Sequence, residues 1–136
     1  MFEEFASPRK TLKVEVTFGA RKSIMHQPGY FYILTNTYNT VLYCGATDNL
    51  YKRVQEHKDK IYSNSFTLRY NIEKLVYFEV FSIAGDAFAR EKQVKAGSRK
   101  KKIELIESIN PHWKDLFDAI SPDHISELLK IKKFFR

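Results

Sequence analysis

The stretch Tyr30-Phe31-Tyr32-Ile33-Leu34 and, a few residues later, the stretch Leu42-Tyr43-Cys44-Gly45 decide the fold of this chain. Aromatic and β-branched side chains are the ones that strands favour, so both stretches are predicted to be β-strands. Between them lies Asn36-Thr37-Tyr38-Asn39, a run typical of a turn. The two strands are therefore predicted to form an antiparallel hairpin.

The register of this hairpin follows from the length of the turn. With a symmetric four-residue turn, Leu34 would pair with Val41 and Tyr32 with Tyr43, so that both tyrosines become direct neighbours on one face. Cys44 is opposite in phase to Tyr43 and is predicted to be a core residue. A slip of the register would break the pairing of the tyrosines.

The remaining pattern adds one strand and several helices. They are predicted as a helix over about 50–59 capped by 47–49, a strand over 74–83, helices over 85–96 and 98–109, and an amphipathic helix from 121. The fold class is α+β, with a small central antiparallel sheet of about three strands flanked by helices. We expect a peripheral arm over 1–28, with one short strand at 12–16, a domain over 29–117, and a C-terminal amphipathic helix over 118–136 packed on it.

Length and composition restrict the class of protein. With 136 residues, of which 43% are hydrophobic and 15% aromatic, the chain suits one folded domain with one core. No apolar run approaches the roughly 18 residues that span a bilayer, and Glu3 and Glu4 do not suit a signal peptide. The single cysteine, Cys44, suits a reducing compartment. We therefore expect a soluble cytoplasmic protein with no membrane partner.

Positive charge is concentrated in one segment. The net charge is +7, and residues 90–102 hold seven basic side chains against one acid: Arg90, Lys92, Lys95, Arg99, Lys100, Lys101 and Lys102. Such a patch attracts polyanions, most often phosphate backbones. A solvated helix face that only aids solubility is an equally good interpretation of the charge alone.

Glu91 is the most informative single residue. On a helical wheel it lies near the centre of the face formed by Ala87, Phe88 and Val94. A carboxylate directed into a core is unfavourable unless it meets a cation, a metal ion or several donors. Either a bound metal or an ion pair with Arg53 would explain it.

The helix after the hairpin carries two more polar candidates. Leu50, Val54 and Ile61 form one stripe at helical spacing, His57 falls on that stripe, and Arg53 lies about 40° from it. His57 alone is more often a packing residue than a catalytic one. No phosphate-binding glycine-rich loop and no Cys/His zinc pattern occurs in the sequence.

Gly45 ends the second strand just before the start of this helix. A glycine there permits a ligand to approach the backbone closely, and the N–H groups of the helix start suit a phosphate. The tyrosines alone are weak indicators of a site, because most of the aromatic residues of a small domain belong to its core.

The run GYFYILTN…VLYCGATDNLYKRVQEHK resembles the GIY-YIG nuclease domain, and within it the small stand-alone bacterial members. Tyr30-Phe31-Tyr32 stands where the family has Gly-Ile-Tyr, and Tyr43-Cys44-Gly45 where it has Tyr-Ile-Gly. The departures, Tyr30 and Cys44, are packing or backbone positions. Further matches lie later in the chain: Arg53, His57, Arg90–Gln93, Phe66-Thr67 and Asn110–Leu116.

This resemblance implies a metal-dependent endonuclease that hydrolyses DNA phosphodiester bonds, in repair or mobile-element processing, with Mg²⁺ or Mn²⁺ and no small-molecule cofactor. The implied catalytic residues are Tyr32, Tyr43, Arg53 and His57, with Glu91 as the metal ligand and Asn110 as a further candidate. The expected nucleic-acid contacts are Gly45, Lys95, Arg99, Lys100 and Lys101. We expect the tyrosines, Arg53, His57 and Glu91 to converge on one surface pocket.

Two other classes of function compete with this one. A nucleic-acid-binding module could keep the fold without catalysis, although all five chemical positions are filled. A protein-interaction domain with a basic surface would give no reason for an inward-facing Glu91.

Overall fold

The computed structural model describes residues 2–5, 27–61 and 69–121. In chain order the elements are β1 (Phe2–Phe5), β2 (Gly29–Thr35), β3 (Val41–Thr47), α1 (Leu50–Lys58), β4 (Lys74–Phe81), α2 (Ala84–Lys95), α3 (Arg99–Ile109) and a 3₁₀ turn (Phe117–Ile120). The strand predicted at 12–16, the Phe66-Thr67 match and most of the C-terminal helix lie outside the described residues. No helix in the described part of the chain is long and apolar enough to cross a membrane.

The strands form one sheet in the order β1-β3-β2-β4. The central strand β2 is antiparallel to both β3 and β4, which confirms the predicted three-stranded antiparallel sheet of an α+β fold. The edge strand β1 was not predicted, and it pairs with β3 in parallel, from Phe2 opposite Val41 to Phe5 opposite Cys44. Its four residues are too short a run to show the alternation that predicts a strand.

The predicted hairpin register was wrong by two residues. Leu34 lies opposite Tyr43, and Tyr32 lies opposite Gly45. The cause is Asn36, whose side-chain oxygen accepts hydrogen bonds from the backbone of Thr40 at 2.8 Å and of Val41 at 3.1 Å. The backbone N–H groups of Thr40 and Val41 donate to this side chain and not to a carbonyl of β2. The loop between β2 and β3 is therefore longer than a tight four-residue turn. A shift of two residues keeps both tyrosines on one face.

Both faces of the sheet are buried, which gives the protein two core layers. The α1 layer contains Tyr30, Tyr32, Leu34, Val41, Tyr43, Leu50, Val54, Ile72, Leu75, Val80 and Ile120. The α2 layer contains Phe31, Ile33, Leu42, Cys44, Ala46, Val76, Tyr77, Phe81, Ala87, Val94 and Ile106. Burial on both sides explains why these strands are almost continuously apolar in sequence.

The first turn of helix α2 packs closely against Gly29, the first residue of β2. A Cβ atom on Gly29 would lie 2.7 Å from the Cα of Ala84 and 3.0 Å from the Cβ of Ala87. The backbone of Ala84 also donates a hydrogen bond to the carbonyl of Gln27 at 2.9 Å. Only a glycine lets the helix start this close to the strand.

Helix α1 begins at the predicted cap but ends earlier than its apolar stripe. The side chain of Asn49 accepts from the backbone of Lys52 at 3.1 Å, and Leu50 and Val54 are buried as expected. Ile61 does not extend the stripe, because it is 60% exposed. The chain turns away two residues after the end of the helix, at Lys60, which has a positive φ of 56°.

The segment after α3 holds α1 against the sheet. Asp115 accepts from the backbone of Leu75 on β4 at 3.2 Å, and it forms an ion pair with Lys58 of α1 at 2.6 Å. The ring of Phe117 stacks on Tyr51, with 5.0 Å between their centroids. These contacts fix the position of the helix that carries Arg53 and His57.

Candidate active site and nucleic-acid interface

Tyr43 and His57 form the first contact between predicted site residues. The short link from β3 to α1 brings the two rings edge to face, with 5.4 Å between their centroids. Both residues are buried, Tyr43 at 7% and His57 at 6% exposure. A phenol and an imidazole are therefore adjacent in the α1 layer.

Tyr32 belongs to the same layer, but it lies deeper and has no exposed surface. Its hydroxyl end lies over Gly45, where a Cβ atom would overlap the hydroxyl and the ring. The missing side chain of Gly45 therefore accommodates Tyr32. The expected approach of a ligand to the backbone of Gly45 stays a prediction. Of the two motif tyrosines, Tyr43 is the less deeply buried.

Tyr30 occupies the position where the family motif begins with glycine. Burial, together with the negative charge of Asp48, raises the pKa of Tyr30 to about 12. The residue therefore remains a neutral phenol at physiological pH and serves as a core aromatic of the α1 layer. This supports the interpretation of Tyr30 as a packing departure from the motif.

Arg53 lies on α1, one helical turn before His57, and its side chain is 21% exposed. It is 3.7 Å from the carboxylate of Glu56 in an i,i+3 ion pair. Such a long and partly exposed pair contributes little to stability. Arg53 thus lies on the same helix as His57, with its guanidinium partly exposed.

Glu91 is buried at 5% exposure, as its wheel position predicted. Its partner is Lys95, one turn later on the same helix, with 2.8 Å between Nζ and Oε2. The alternative pairing with Arg53 was wrong, because Arg53 is paired with Glu56 on α1. The carboxylate therefore already holds a cation, the Lys95 ammonium.

The prediction that all five residues line one pocket stays a prediction. Tyr32 and Tyr43 lie in the α1 layer, whereas Glu91 lies on α2, whose neighbouring residues Ala87 and Val94 pack in the other layer. Alternation along β3 sends Tyr43 to one face of the sheet, and α2 covers the opposite face.

Glu91 nevertheless lies toward the β3 side of the molecule. Arg90 faces β4, where it bonds Glu79, and successive helix residues are about 100° apart. Ala87 and Val94 face the sheet, and on the helical wheel their directions lie between those of Arg90 and Glu91. Because β3 and β4 lie on either side of β2, the Glu91 flank of α2 faces the β3 side of the sheet.

The predicted phosphate contacts lie around the end of α2 and the start of α3. Lys95 pairs with Glu91, and the guanidinium of Arg99 donates to the carbonyl of Thr40 at 3.2 Å. Lys100 and Lys101 are exposed. The interface prediction remains a prediction, with Lys100 and Lys101 as its most accessible cations.

The side-chain amide of Asn110 forms hydrogen bonds within the fold. Its nitrogen donates to the carbonyls of Val76 at 3.0 Å and Lys114 at 2.9 Å, and its oxygen accepts from the backbone of Lys114 at 3.0 Å. These bonds cap α3 and fasten the following turn to β4. The arrangement favours a structural role over a place in the site.

A buried polar cluster on the α2 side of the sheet was not predicted from the sequence. The carboxylate of Glu79 on β4 accepts hydrogen bonds from the Tyr77 hydroxyl and from two nitrogens of Arg90, both at 3.0 Å. The bond to Glu79 raises the pKa of Arg90. An acid inside the apolar run of β4, Glu79, is the signal in the sequence that could have revealed this cluster.

Replacing Arg90 by Met is expected to lower the free energy of unfolding by about 2–3 kcal/mol, because the buried Glu79 carboxylate loses its counter-charge. Urea unfolding measures the loss. Gln93→Ala is the control, because it removes only the 2.7 Å bond from Arg90 to Gln93 at the exposed end of the cluster. We expect a loss below about 0.5 kcal/mol for the control. Equal losses in the two variants would contradict the role of the Glu79 pair.

A family model of the GIY-YIG catalytic domain matches residues 28–104, more than half of the 136-residue chain. The chain belongs to the GIY-YIG family. A UPF0213 protein of Syntrophus aciditrophicus is 39% identical to this chain over 82 residues, which cover 60% of this chain and 92% of that protein. A UPF0213 protein of Pediococcus pentosaceus is 39% identical over 77 residues, covering 57% and 79%. No solved structure matches significantly.

Membership makes this GIY-YIG protein a nuclease-type domain. The matched residues include Tyr32, Tyr43, Arg53, His57 and Glu91, whereas Asn110 lies beyond them. Across residues 27–61 and 69–121, no group of three His, Cys, Asp or Glu side chains could hold a metal ion.

Proposed function

We propose that this protein is an endonuclease that hydrolyses DNA phosphodiester bonds with the help of Mg²⁺ or Mn²⁺. The observation that carries the proposal is the contact of Tyr43 with His57, at 5.4 Å between ring centroids, within a region that matches the GIY-YIG catalytic domain. This contact joins a phenol on β3 and an imidazole on α1, two groups that are able to exchange a proton. Tyr43 also belongs to the family motif.

The side chain of Glu91 fits a hydrated divalent cation. Mg²⁺ binds hard oxygen ligands, keeps several of its waters and is often held by one or two carboxylates. Glu91 supplies one such carboxylate, and the Lys95 ammonium at 2.8 Å supports the view that a cation can reach it. A bound divalent cation would stabilise the negative charge that develops on the leaving oxygen.

The other residues would act on the phosphate and on the attacking water. Arg53 carries a planar guanidinium that can hold two phosphate oxygens at once. Tyr43 would position the water and pass its proton toward the His57 imidazole, since an unperturbed phenol with a pKa near 10 is a weak base without help. Tyr32, buried beneath Gly45, would orient this part of β3 without touching the DNA.

The β3 side of the sheet is the place where these groups and Glu91 could act on one phosphate. Tyr43 belongs to one layer and Glu91 to the other, and both lie on the β3 side of β2. We therefore propose a site on the β3 side of the sheet that combines groups from both layers. The basic residues Lys95, Arg99 and Lys100 would hold the DNA backbone beside it.

Incubation of the purified protein with supercoiled plasmid tests the proposal. With Mn²⁺ or Mg²⁺ we expect nicked and then linear plasmid, and with a chelator only the supercoiled form. A protein preparation carrying Glu91→Gln is the control for contaminating nucleases. Plasmid binding without cleavage in either metal would favour the alternative, a nucleic-acid-binding module without catalysis.

The biological setting is a separate proposal, DNA repair or mobile-element processing. Comparing cleavage of linear, nicked and branched duplexes of one sequence would test it. A preference for nicked or branched DNA would support repair, and cleavage at one preferred sequence would support a mobile element.

A further inference from the structure

The tip of the β2–β3 hairpin, residues 36–40, carries a tyrosine in contact with solvent. Tyr38 is 81% exposed, more than any other large apolar side chain in the described part of the chain. An aromatic ring in this position keeps a large apolar surface in water, which is unfavourable. Single exposed apolar residues are common in proteins, so the surroundings of Tyr38 decide whether the ring has a use.

The hairpin tip is held in one conformation by its own hydrogen bonds. Asn39, which has a positive φ of 58°, closes the turn by donating from its backbone to the carbonyl of Asn36 at 3.0 Å. The side-chain nitrogen of Asn36 donates to the hydroxyl of Thr40 at 2.8 Å, in addition to the bonds that its oxygen accepts from the backbone of Thr40 and Val41. Because these bonds order the loop before a ligand arrives, binding to Tyr38 costs little conformational entropy.

Positive charge lies beside this hairpin tip. The guanidinium of Arg99 donates to the carbonyl of Thr40, two residues after Tyr38, at 3.2 Å. Lys100 and Lys101 follow Arg99 in the chain and are exposed. Proteins that bind single strands of nucleic acid combine aromatic side chains, on which unpaired bases stack, with cations that follow the phosphates. The hairpin tip and these basic residues provide the same combination.

The hairpin tip is also close to the proposed catalytic groups. Tyr43 follows Tyr38 by five positions, so at about 3.4 Å per residue their Cα atoms are at most about 17 Å apart. One strand of stacked DNA advances about 3.4 Å per nucleotide. A strand with one phosphate at Tyr43 therefore extends as far as Tyr38 within about five nucleotides.

We propose that Tyr38 stacks on an unpaired base of a DNA strand, while Arg99 and Lys100 hold phosphates of the same strand. The preferred substrates are then flaps, gaps and branches, with unpaired bases near the cleaved bond. An internal base of a duplex is already stacked on both faces and is not accessible to the ring. The assignment to DNA rests on the proposed function, whereas the preference for unpaired bases rests on Tyr38.

Binding to labelled oligothymidine and to a duplex of the same length tests this proposal, with a chelator present so that no cleavage occurs. Tyr38→Ala should weaken binding of the single strand by about tenfold or more and of the duplex by less than about twofold. Tyr38→Phe keeps the ring and should bind both as the wild type does. Thr37→Ala, at the exposed neighbouring position, controls for disturbance of the loop. All three variants should melt within about 2 °C of the wild type, because both side chains are exposed.

The salt dependence of binding separates stacking from charge. Tyr38→Ala removes no charge, so the slope of log affinity against log salt for the single strand should equal that of the wild type. Lys100→Gln removes one cation and should reduce this slope by about 0.7. A reduced slope in Tyr38→Ala would mean that phosphate contacts were lost, and it would overturn the assignment of stacking to Tyr38.

The remaining outcomes separate this proposal from the nuclease proposal. Equal losses on single strand and duplex in Tyr38→Ala, or no loss on either, would overturn the stacking surface. Tighter binding of oligouridine than of oligothymidine would overturn the assignment to DNA. Single-strand binding that depends on Tyr38, together with a plasmid that stays uncut in Mn²⁺, would keep the stacking surface and reject the nuclease proposal.

Discussion

Glu91→Gln is expected to reduce metal-dependent plasmid cleavage by at least about a hundredfold, because the substitution keeps the shape of the side chain and removes the charge that would hold the cation. The fold should tolerate the change. The side chain of Lys95, which loses its counter-charge, is 16% exposed and can turn its ammonium toward water. We therefore expect a loss of stability below about 2 kcal/mol, less than the 3–5 kcal/mol that follows the breaking of a fully buried pair.

The matched control for Glu91→Gln is Lys95→Gln, which breaks the same ion pair from the other side. It leaves the carboxylate in place and should keep cleavage within about tenfold of the wild type at saturating DNA. Plasmid cleavage and melting temperature are measured on both variants over a range of Mn²⁺ concentrations. If Glu91→Gln unfolds easily while its folded fraction cleaves at the normal rate, Glu91 is a structural partner of Lys95 and the metal assignment is wrong.

Arg53→Lys is expected to lower cleavage by about a hundredfold to a thousandfold, the range for loss of one well-placed donor to a developing negative charge. Lysine keeps the charge but cannot offer the planar pair of N–H groups that grips two phosphate oxygens. Stability should change by less than about 0.5 kcal/mol, because the pair with Glu56 is long and partly exposed. The cleavage rate at saturating DNA and the melting temperature are the measurements.

Glu56→Gln is the control for Arg53→Lys, because it removes the ion pair of Arg53 and keeps the guanidinium in place. We expect the control to cleave at least as fast as the wild type. A loss of equal size in both variants would mean that the Arg53–Glu56 pair maintains the helix surface, and that Arg53 does not act on the phosphate.

Local patterns in the sequence determined the elements and the direction of most side chains. Alternation along β3 predicted that Cys44 and Tyr43 face opposite layers, and both are buried on opposite faces. Helical spacing predicted the burial of His57 and Glu91. Such predictions succeed because strand and helix periodicity are properties of the backbone, and because each apolar face must be covered. The order of the motif residues along the chain also predicted the GIY-YIG family.

Contacts between distant segments decided the rest. Asn36 set the register of the hairpin through its own side-chain bonds, and Glu79 reached across to Arg90, eleven positions away in sequence. The layer that receives Glu91 depends on which face of the sheet α2 covers, and no residue within α2 specifies that. Periodicity tells which side of an element is buried but not against what it packs. For this reason the burial of Glu91 was predictable from sequence, whereas the face of the sheet that its helix covers came only from the tertiary structure.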